Sequence, residues 1–473
     1  MKINWKIYLF GLIFEMINRS IAGKAEEMRV LLISPNILGV RGGINRIQPP
    51  LGLGYVASFA RQAGHEVFVR DTALEGYGNQ IELDNGLIRI GETDDQIRAF
   101  IRKINPDVVG ITATLSNLEV AALEVARLTK EVNPQIVTVL GGNHISFSDK
   151  DYDVDYVVKG EGEIAFVKLL EELGKGNNPN KVIVGIAFEN LNHLPSPARD
   201  LMNMEAYFRI NLFHSSRSDK RILNVMTSRG CPHSCSFCTS PQMWGRRVRF
   251  RDASNVMAEI VEAIEKYGIE EVQFEDDTLT VNYQRLMELC DLLRPPHNIQ
   301  WCVPNGIRIN CHSSKQDQMF KRMKESGCYQ VTLACESGCQ RVLDQILNKN
   351  LKLAEIKPAI RKAHDAGLLV HTFWLVGSPG ETKSEMEQTI AFAQSCGADS
   401  YSVSILCPLP GTRVNDEVEQ KNLWWTGIDL KQMIYRKSLF KVDGFSCAED
   451  FEAWAEEQNR VLNQGDKIEV KQT

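Results

Sequence analysis

The chain has 473 residues, of which 43% are hydrophobic and 24% charged, and its formal net charge is -6. This is more sequence than one hydrophobic core usually organises, and the composition is that of a globular protein rather than a disordered, fibrous or membrane-spanning one. The small negative charge gives no general electrostatic reason to bind nucleic acid or an anionic membrane. We therefore expect two or three domains, no nucleic-acid partner and a small-molecule substrate.

The N-terminal segment, residues 1–27, contains one apolar run over residues 7–14. This run is too short to span a bilayer and is interrupted by Glu15. We expect a short amphipathic extension, or a start site upstream of the true one at Met28, rather than a signal peptide. Twelve cysteines are too few for a disulfide scaffold in a chain of this length. These features predict a cytoplasmic protein without stable membrane insertion.

From Met28 onward, short apolar strand patterns alternate with helical patterns. The strand patterns lie near residues 30, 67, 108, 137 and 157. Strands that alternate with helices imply right-handed crossovers and a parallel, doubly wound sheet. We therefore predict a Rossmann-like α/β domain over residues 28–185, followed by a linker over residues 186–220 that has no sustained periodicity.

A second alternation begins at Ile222, with strand patterns near residues 222, 272, 300, 330, 370 and 401. Helical patterns follow the strands; Val256, Ile260 and Ile264 mark one of them. Six such units predict a partial (β/α)6 barrel of the TIM type over residues 221–411, whose functional site should lie at the C-terminal ends of the strands. The charged and helical residues that follow predict a helical C-terminal region over residues 412–473.

The residues with the clearest chemistry lie on the loop after the first predicted barrel strand. Cys231, Cys235 and Cys238 follow the spacing C-x3-C-x2-C, which lets three thiolates converge on one metal centre of the iron–sulfur or zinc type. The alternatives are a zinc knuckle in which His233 is the fourth ligand, or buried structural cysteines. Three ligands on a four-iron cluster would leave one iron open for chemistry.

This loop, with Phe237 before the last cysteine, resembles the hallmark of the radical S-adenosylmethionine enzymes, and the resemblance extends over residues 222–411. It implies that Cys231, Cys235 and Cys238 ligate a [4Fe-4S] cluster, that S-adenosylmethionine chelates the open iron, and that Phe237 packs near the adenine. In that family one electron from the reduced cluster cleaves S-adenosylmethionine to a 5'-deoxyadenosyl radical. The resemblance therefore also implies an external one-electron reductant such as flavodoxin or ferredoxin.

Further likenesses to this family lie at the predicted strand ends. Asp276 and Asp277 end the second barrel strand and resemble the segment that meets the methionyl amino group; a solvated acidic turn is the alternative. Glu336, at the end of the fourth strand, resembles the ribose-binding acid of the family, with a structural ion pair as the alternative. Gly377, after the fifth strand, resembles part of a cofactor-lining loop, as does the segment 407–412 after the sixth.

The N-terminal domain resembles the cobalamin-binding domain that a large group of these enzymes carries. The likeness rests on segments at residues 49–54 and 160–163, on Ser116 and Leu118 in an S-x-L turn, and on Gly141 and Gly142 followed by His144. Glycines at strand ends let a nucleotide tail approach the sheet. The D-x-H-x-x-G loop of cobalamin domains is absent, which leaves the lower axial position of cobalt to another group or to none. A generic nucleotide-binding fold, a domain that has lost its ligand, and a helix-capping role for His144 are the alternatives.

Four arginines follow the cysteine loop closely: Arg246, Arg247, Arg249 and Arg251. On an extended segment the last three share one face. This stripe is either a solvated face that balances acidic neighbours, or an anion site for the carboxylate of S-adenosylmethionine, the cobalamin phosphate or an acidic substrate. Guanidinium groups suit the second role because they bind such anions bidentately.

Together these likenesses imply a cobalamin-dependent radical S-adenosylmethionine methyltransferase that transfers a methyl group from methylcobalamin to an unactivated carbon of a small molecule, with anionic molecules among the options. Residues 336–338 and 340–343 are similar to the phosphonate C-methylase of fosfomycin biosynthesis, which does not assign the substrate. One alternative is the anaerobic magnesium-protoporphyrin monomethyl ester cyclase, which has the same two domains. A cobalamin-binding sensor with a degenerate barrel is another, although a sensor would not need the three loop cysteines.

Overall fold

The structure is a computed structural model that describes residues 26–40, 45–83, 87–213, 220–294, 297–427 and 433–464. The predicted N-terminal extension lies outside these residues except for its last two positions. None of the helices within the described ranges is long and apolar enough to cross a membrane. Both predicted parallel sheets are present, which confirms the expected α/β class.

The strands of the N-terminal region, numbered in chain order, are β1 Arg29–Ser34, β2 Ile37–Val40, β3 Glu66–Asp71, β4 Gln80–Glu82, β5 Leu87–Ile90, β6 Val108–Thr112, β7 Val137–Gly141, β8 Tyr156–Lys159 and β9 Val182–Val184. Its helices are α1 Leu51–Gln62, α2 Thr72–Glu75, α3 Asp94–Ile104, α4 Glu119–Val132, α5 Asn143–Phe147, α6 Gly162–Gly174 and α7 Met204–Ile210. Six of the strands form one parallel sheet in the order β3-β1-β6-β7-β8-β9.

Helices cover both faces of this first sheet. Helices α1 and α6 pack on one face, and α3 and α4 pack on the other. The strand residues Val30 to Ile33 are therefore all buried, as a continuous apolar run in a doubly covered parallel sheet requires. The strand order reverses between β1 and β6, and ligands bind at such switch points, beyond the carboxyl ends of the strands.

A small antiparallel sheet, in the order β2-β5-β4, lies beside this edge and was not predicted from the sequence. Its strand β2 approaches the turn after β6, where the amide nitrogen Nδ2 of Asn117 donates to the carbonyl oxygen of Leu38 at 3.4 Å. The short strands carry no strong period-2 signal, so their tertiary pairing determined them.

The predicted linker is packed between the two sheets. It contains α7, whose Tyr207 hydroxyl donates to the carboxylate of Asp71 at 2.6 Å. Upstream, the guanidinium of Arg199 donates to the backbone oxygen of Asn224 at 2.7 Å. Ile222 of the second sheet is fully buried in the same cluster as Tyr207. The segment is therefore part of an interdomain core.

The C-terminal region has the strands β10 Ile222–Val225, β11 Ser228–Arg229, β12 Arg249–Phe250, β13 Glu271–Phe274, β14 Gln300–Ile307, β15 Cys328–Glu336, β16 Leu369–Val376 and β17 Ser400–Ile405. Its helices are α8 Ser240–Trp244, α9 Ala253–Tyr267, α10 Tyr283–Leu293, α11 Gln316–Glu325, α12 Leu353–Asp365, α13 Lys383–Gln394, α14 Arg413–Gln420 and α15 Ala448–Leu462. Six strands pair in parallel in the order β10-β13-β14-β15-β16-β17, so the barrel is partial, with β10 and β17 at its edges.

The edge strand β17 is covered by the C-terminal helix α15. The side-chain amide of Asn459 accepts from the backbone nitrogen of Val403 at 2.9 Å and donates to its oxygen at 2.8 Å. Asn463 bonds the backbone of Tyr401 in the same manner at 3.0 Å. These side chains occupy backbone groups that an open sheet edge would otherwise present to another strand.

Candidate functional site

The cysteine loop leaves the first barrel strand through a short antiparallel ribbon. Strand β11 pairs with β12, and Gly230 follows directly with a φ of 106°. A side chain at Gly230 would place its Cβ 2.6 Å from the backbone oxygen of Arg247. Only glycine fits this backbone conformation and this close approach, so Gly230 sets the direction in which the chain enters Cys231.

The base of this loop is held by Asp276, at the end of β13. Its carboxylate accepts from the backbone nitrogen of Thr227 at 3.0 Å, from the Thr227 hydroxyl at 2.7 Å, and from the hydroxyl of Ser228. Burial raises the pKa of Asp276, while these hydrogen bonds oppose the shift. The side chain is fully buried. Asp276 is therefore not a solvated turn residue; it positions the base of the cysteine loop.

That neighbour, Asp277, is partly exposed and faces the cysteines. Its carboxylate accepts from the Ser240 hydroxyl at 2.8 Å, and its charge contributes to raising the pKa of both Cys231 and Cys238. Burial raises the pKa of Asp277 to about 6, with the Ser240 hydrogen bond acting in the opposite direction.

The three loop thiols are free and partly exposed. Burial raises the pKa of Cys231 to about 11, and the thiols of Cys235 and Cys238 add to that shift, which places the three within electrostatic reach of one another. The guanidinium of Arg308 lies 3.9 Å from the sulfur of Cys235. Among the described residues, no three His, Cys, Asp or Glu side chains surround a common metal position. The donor set nevertheless fits an iron–sulfur cluster, because three soft thiolates share one accessible loop.

Phe237 and Glu336, expected near the adenosyl group, lie close together. Lys349 connects them: its ammonium donates to the Glu336 carboxylate at 2.7 Å and lies 6.0 Å from the centroid of the Phe237 ring. Burial acts to lower the pKa of Lys349, but the charges of Glu336 and Cys235 and the hydrogen bond to Glu336 together raise that pKa. Glu336 has a φ of 67°, a conformation that is rare outside glycine and collects at functional sites.

The segment that supplies Lys349 also supports the cysteine loop, and sequence reasoning missed it. The backbone nitrogen of Ser236 donates to the oxygen of Leu347 at 2.9 Å, and the Asn348 side chain donates to the oxygen of Ser234 at 2.8 Å. Asn348 and Asn350 both have positive φ values, 49° and 50°. Asn348 and Asn350 flank Lys349, and this pattern could have predicted a turn from the sequence, since asparagine tolerates positive φ.

Gly377 lies at the C-terminal end of β16, as predicted, and packing against α15 accounts for its identity. It has a φ of 81°, and a Cβ there would lie 2.5 Å from the ring of Phe451. The glycine therefore lets the C-terminal helix approach the strand end. Nothing in this contact requires a cofactor.

On the N-terminal domain, Ser116 and His144 meet at the carboxyl ends of β6 and β7. The Ser116 hydroxyl is 2.9 Å from Nδ1 of His144, and Nε2 of His144 is 2.6 Å from the Glu119 carboxylate. Lys150 and Tyr152 also donate to Glu119, at 2.7 and 3.0 Å. Burial acts to raise the pKa of Glu119, but these hydrogen bonds lower it to about 2. Both ring nitrogens of His144 are thus already engaged by protein groups.

Gly142 is the more constrained member of the diglycine. Its φ is 113°, and a Cβ would lie 2.5 Å from the backbone oxygen of Ala113. At Gly141 a Cβ would be an ordinary 3.5 Å from the Val158 oxygen. Leu118, in the turn after β6, is buried beside this loop. The S-x-L turn and the diglycine therefore both lie at strand ends, as predicted, and Gly142 brings its loop close to the backbone that follows β6.

The arginine stripe does not form an anion site. Arg249 is buried and donates to Glu161 at 2.6 Å, and Arg251 is buried in an ion pair with Glu259 at 2.5 Å. Arg247 is 77% exposed and pairs with Glu189 at 2.8 Å. The expected common face therefore does not exist, because the ribbon β11–β12 inserts Arg249 between the domains while Arg247 stays outside. The anion-site alternative is wrong for the two buried arginines, whose charges are met by glutamates.

Comparison with known proteins agrees with both halves of this geometry. The Radical SAM superfamily model matches residues 225–393, and the B12 binding domain model matches residues 38–170. The chain is 31% identical to the cytidylyl-2-hydroxyethylphosphonate methyltransferase of Streptomyces wedmorensis, over 93% of this chain and 91% of that protein. It is 26% identical to the anaerobic magnesium-protoporphyrin IX monomethyl ester cyclase of Rubrivivax gelatinosus, over 83% of this chain and 70% of the cyclase.

The fold is also that of a solved structure, the radical S-adenosylmethionine methyltransferase TsrM from Kitasatospora setae, with a TM-score of 0.64 and 17% identity over 83% of this chain and 76% of that one. The family assignment favours an iron–sulfur cluster over a zinc knuckle at the cysteine loop and a cobalamin domain over a generic nucleotide fold. The chain therefore belongs to the cobalamin-dependent radical S-adenosylmethionine methyltransferases, with a [4Fe-4S] cluster, S-adenosylmethionine and cobalamin as its cofactors.

Proposed function

We propose that this methyltransferase methylates an unactivated carbon of a small molecule, and that the cysteine loop, the strand-end acids and the diglycine loop hold its cofactors. The observation that carries the proposal is the convergence of three free thiols, Asp277 and the Glu336–Lys349 pair at the C-terminal face of the barrel. When bound, the cluster and S-adenosylmethionine supply a radical that removes hydrogen, and cobalamin supplies the methyl group.

On the barrel, the three irons would be held by Cys231, Cys235 and Cys238. Asp276 fixes the position of their loop at the strand ends through hydrogen bonds from Thr227 and Ser228. Arg308 lies beside Cys235 and offsets negative charge there. Asp277 is the acid that we assign to an amino group, because Asp276 already accepts three hydrogen bonds from the cysteine loop.

The same face offers a place for the adenosyl group. Phe237 presents a ring, and Glu336 presents a carboxylate that accepts a hydrogen bond from Lys349. A carboxylate has room for several donors, so ribose hydroxyls can join Lys349 without displacing it.

On the N-terminal domain, Ser116, Leu118, Gly141, Gly142 and His144 would line the path of the cobalamin nucleotide tail. Gly142 fixes the shape of this path, because its backbone lies so close to Ala113 that no side chain fits. His144 is committed to Ser116 and Glu119, so its part is to hold the loop. The sequence has no D-x-H-x-x-G loop that would supply a histidine to cobalt.

A cytoplasmic enzyme of this kind needs an external one-electron reductant, for which flavodoxin or ferredoxin is the class we propose. The substrate is a small molecule, and an anionic one agrees with the likeness to a methyltransferase named for a phosphonate. The arginine stripe does not support this charge preference, because its buried members are already paired.

Product stoichiometry tests methyl transfer. Candidate small molecules are incubated anaerobically with the loaded enzyme and a reductant, and nucleosides and products are measured by mass spectrometry. Methyl transfer predicts one S-adenosylhomocysteine and one 5'-deoxyadenosine per methylated product. Formation of 5'-deoxyadenosine with a modified product while S-adenosylhomocysteine stays at background would replace this proposal with cyclase-type chemistry, which the 26% identity to the cyclase makes the second candidate.

A further inference from the structure

Four charged side chains meet in the buried contact between the two domains. Arg229 donates to Glu161 at 2.6 Å and to Glu163 at 2.5 Å, and Arg249 donates to the other oxygen of Glu161 at 2.6 Å. The four side chains are between 1% and 6% exposed. This interdomain network joins the ribbon of the cysteine loop to the N-terminal end of α6.

Stability alone does not account for this arrangement. Removing four charges from water carries a large desolvation cost, and well-packed apolar residues usually serve as well or better in such places. Two guanidiniums and two carboxylates balance in charge, and Arg229 also lies 4.8 Å from the Trp244 ring and 5.4 Å from that of Tyr55. Guanidinium–carboxylate pairs bind through several directed hydrogen bonds, so they also fix one defined geometry between the two domains that they join.

The network is linked at each end to a cofactor loop. On the barrel side, only Gly230 separates Arg229 from Cys231. On the other side, the backbone nitrogen of Gly160, next to Glu161, donates to the Ser146 hydroxyl at 2.9 Å, and that hydroxyl donates to the oxygen of Gly142 at 2.9 Å. A short path of contacts therefore connects the diglycine to the first cysteine.

From this path we infer that Arg229, Arg249, Glu161 and Glu163 are positioning residues that set the distance and orientation between the cobalamin loop and the cluster loop. These four residues touch no reacting atom; they act by fixing the position of the diglycine loop relative to the cysteine loop. The inference rests on the proposed function for those loops. Methyl transfer needs both cofactors to reach one substrate carbon, and small misplacements of reacting groups are costly.

The test measures the spacing between the cofactors without any substrate. The full chain is loaded with iron, sulfide and hydroxocobalamin, then reduced so that the cluster and cob(II)alamin are both paramagnetic. Their dipolar interaction is read by electron paramagnetic resonance. Wild type should give one narrow interaction, and Glu163→Gln and Glu161→Gln should give a broadened distribution while binding the same amounts of iron and cobalamin.

Glu92→Gln is the matched control. Glu92 is also buried and paired, with Arg70, but both belong to the N-terminal domain, so its loss should lower the melting temperature and leave the dipolar interaction narrow. Arg229→Lys provides a second test if a glutamate variant does not fold, because lysine keeps the charge and loses the fork; it should also broaden the interaction.

Two results would overturn the inference. A wild-type interaction in folded Glu161→Gln and Glu163→Gln would show that the network does not set the spacing. Loss of iron or cobalamin from these variants would show that it serves binding instead. Failure of the wild-type chain to load either cofactor would count against the proposed function itself and is visible before any variant is made.

Discussion

The diglycine loop and the cysteine loop, which we propose hold the cofactors, differ in how many of their side chains already have protein partners. The diglycine loop is already complete: both nitrogens of His144 are engaged, Glu119 accepts from three neighbours, and Gly142 fits against Ala113. The cysteine loop is held through its backbone, by Asp276 at its base and by Leu347 and Asn348 farther along. Its three thiols remain free and partly exposed.

This difference fits the ligand that we propose for each loop. Thiolates that ligate a metal must be available to it, so the protein fixes the backbone around them and leaves the sulfurs open. A nucleotide tail is recognised by shape and backbone groups, so the side chains of the diglycine loop can be fully hydrogen-bonded within the protein before the ligand binds. Variants of the first loop should therefore abolish a cofactor, whereas variants of the second should mainly change stability and affinity.

The largest effect is expected from replacing Cys231, Cys235 and Cys238 together by alanine. Because these three thiols are the proposed ligands of the cluster, the bound iron should fall from about four per chain to almost none after anaerobic reconstitution. Iron and sulfide analysis with visible absorption measures this. Cys447→Ala, a partly exposed cysteine outside the loop, is the control and should retain iron. Stoichiometric zinc without charge-transfer absorption in the wild type would contradict the assignment.

A smaller but still large effect is expected at the contact between the two regions. Arg249→Gln leaves Glu161 with one partner fewer and should lower the free energy of unfolding by about 3 kcal/mol. Arg247→Gln changes a neighbour that is 77% exposed and should cost less than about 0.5 kcal/mol. Urea unfolding of both variants checks this. Equal effects would mean that the two arginines share one environment after all.

Gly142→Ala should lower the free energy of unfolding by about 1 to 3 kcal/mol, because alanine is strained at this φ and meets the oxygen of Ala113. Affinity for hydroxocobalamin should fall with it. Gly141→Ala is the matched control, since its Cβ would make an ordinary contact. Denaturation and an absorbance titration with hydroxocobalamin give both quantities. A Gly141 variant that is the worse of the two would show that the loop is arranged differently.

The smallest effect concerns Glu119, whose pKa is lowered in the folded protein from 4.5 to about 2. A depressed pKa means that the carboxylate contributes stability above its unfolded value, and that this contribution is lost as the pH falls toward its folded value. Glu119→Gln should therefore cost about 1 to 2 kcal/mol at neutral pH, and this difference should persist at lower pH until the unfolded value of 4.5 is approached.

Below pH 4.5, the unfolded value, the difference between Glu119→Gln and wild type should shrink. Urea unfolding in a series of buffers measures it, with Glu205→Gln, an exposed surface carboxylate, as the control. A difference that grows as the pH falls would show that Glu119 is protonated in the folded protein.

Much of the fold and part of the site could be predicted from local sequence. Hydrophobic periodicity located all six barrel strands and most of the first sheet, because burial imposes a pattern that does not depend on distant residues. The C-x3-C-x2-C spacing and the diglycine marked both loops for the same reason, since each is a short segment whose own geometry suits its ligand. The small antiparallel sheet was not predicted, because its strands are short and their pairing joins residues far apart in the chain.

What the sequence by itself determined, then, is the pair of sheets, the order of their elements and the two loops. Only the tertiary structure decided which charged residues face a ligand and which face each other. Arg249 and Glu161 are 88 residues apart in sequence, and Arg229 and Glu163 are 66 apart. An arginine stripe looks the same whether its partner is a bound anion or a buried glutamate, because the partner is chosen by packing between domains and leaves no trace in local spacing.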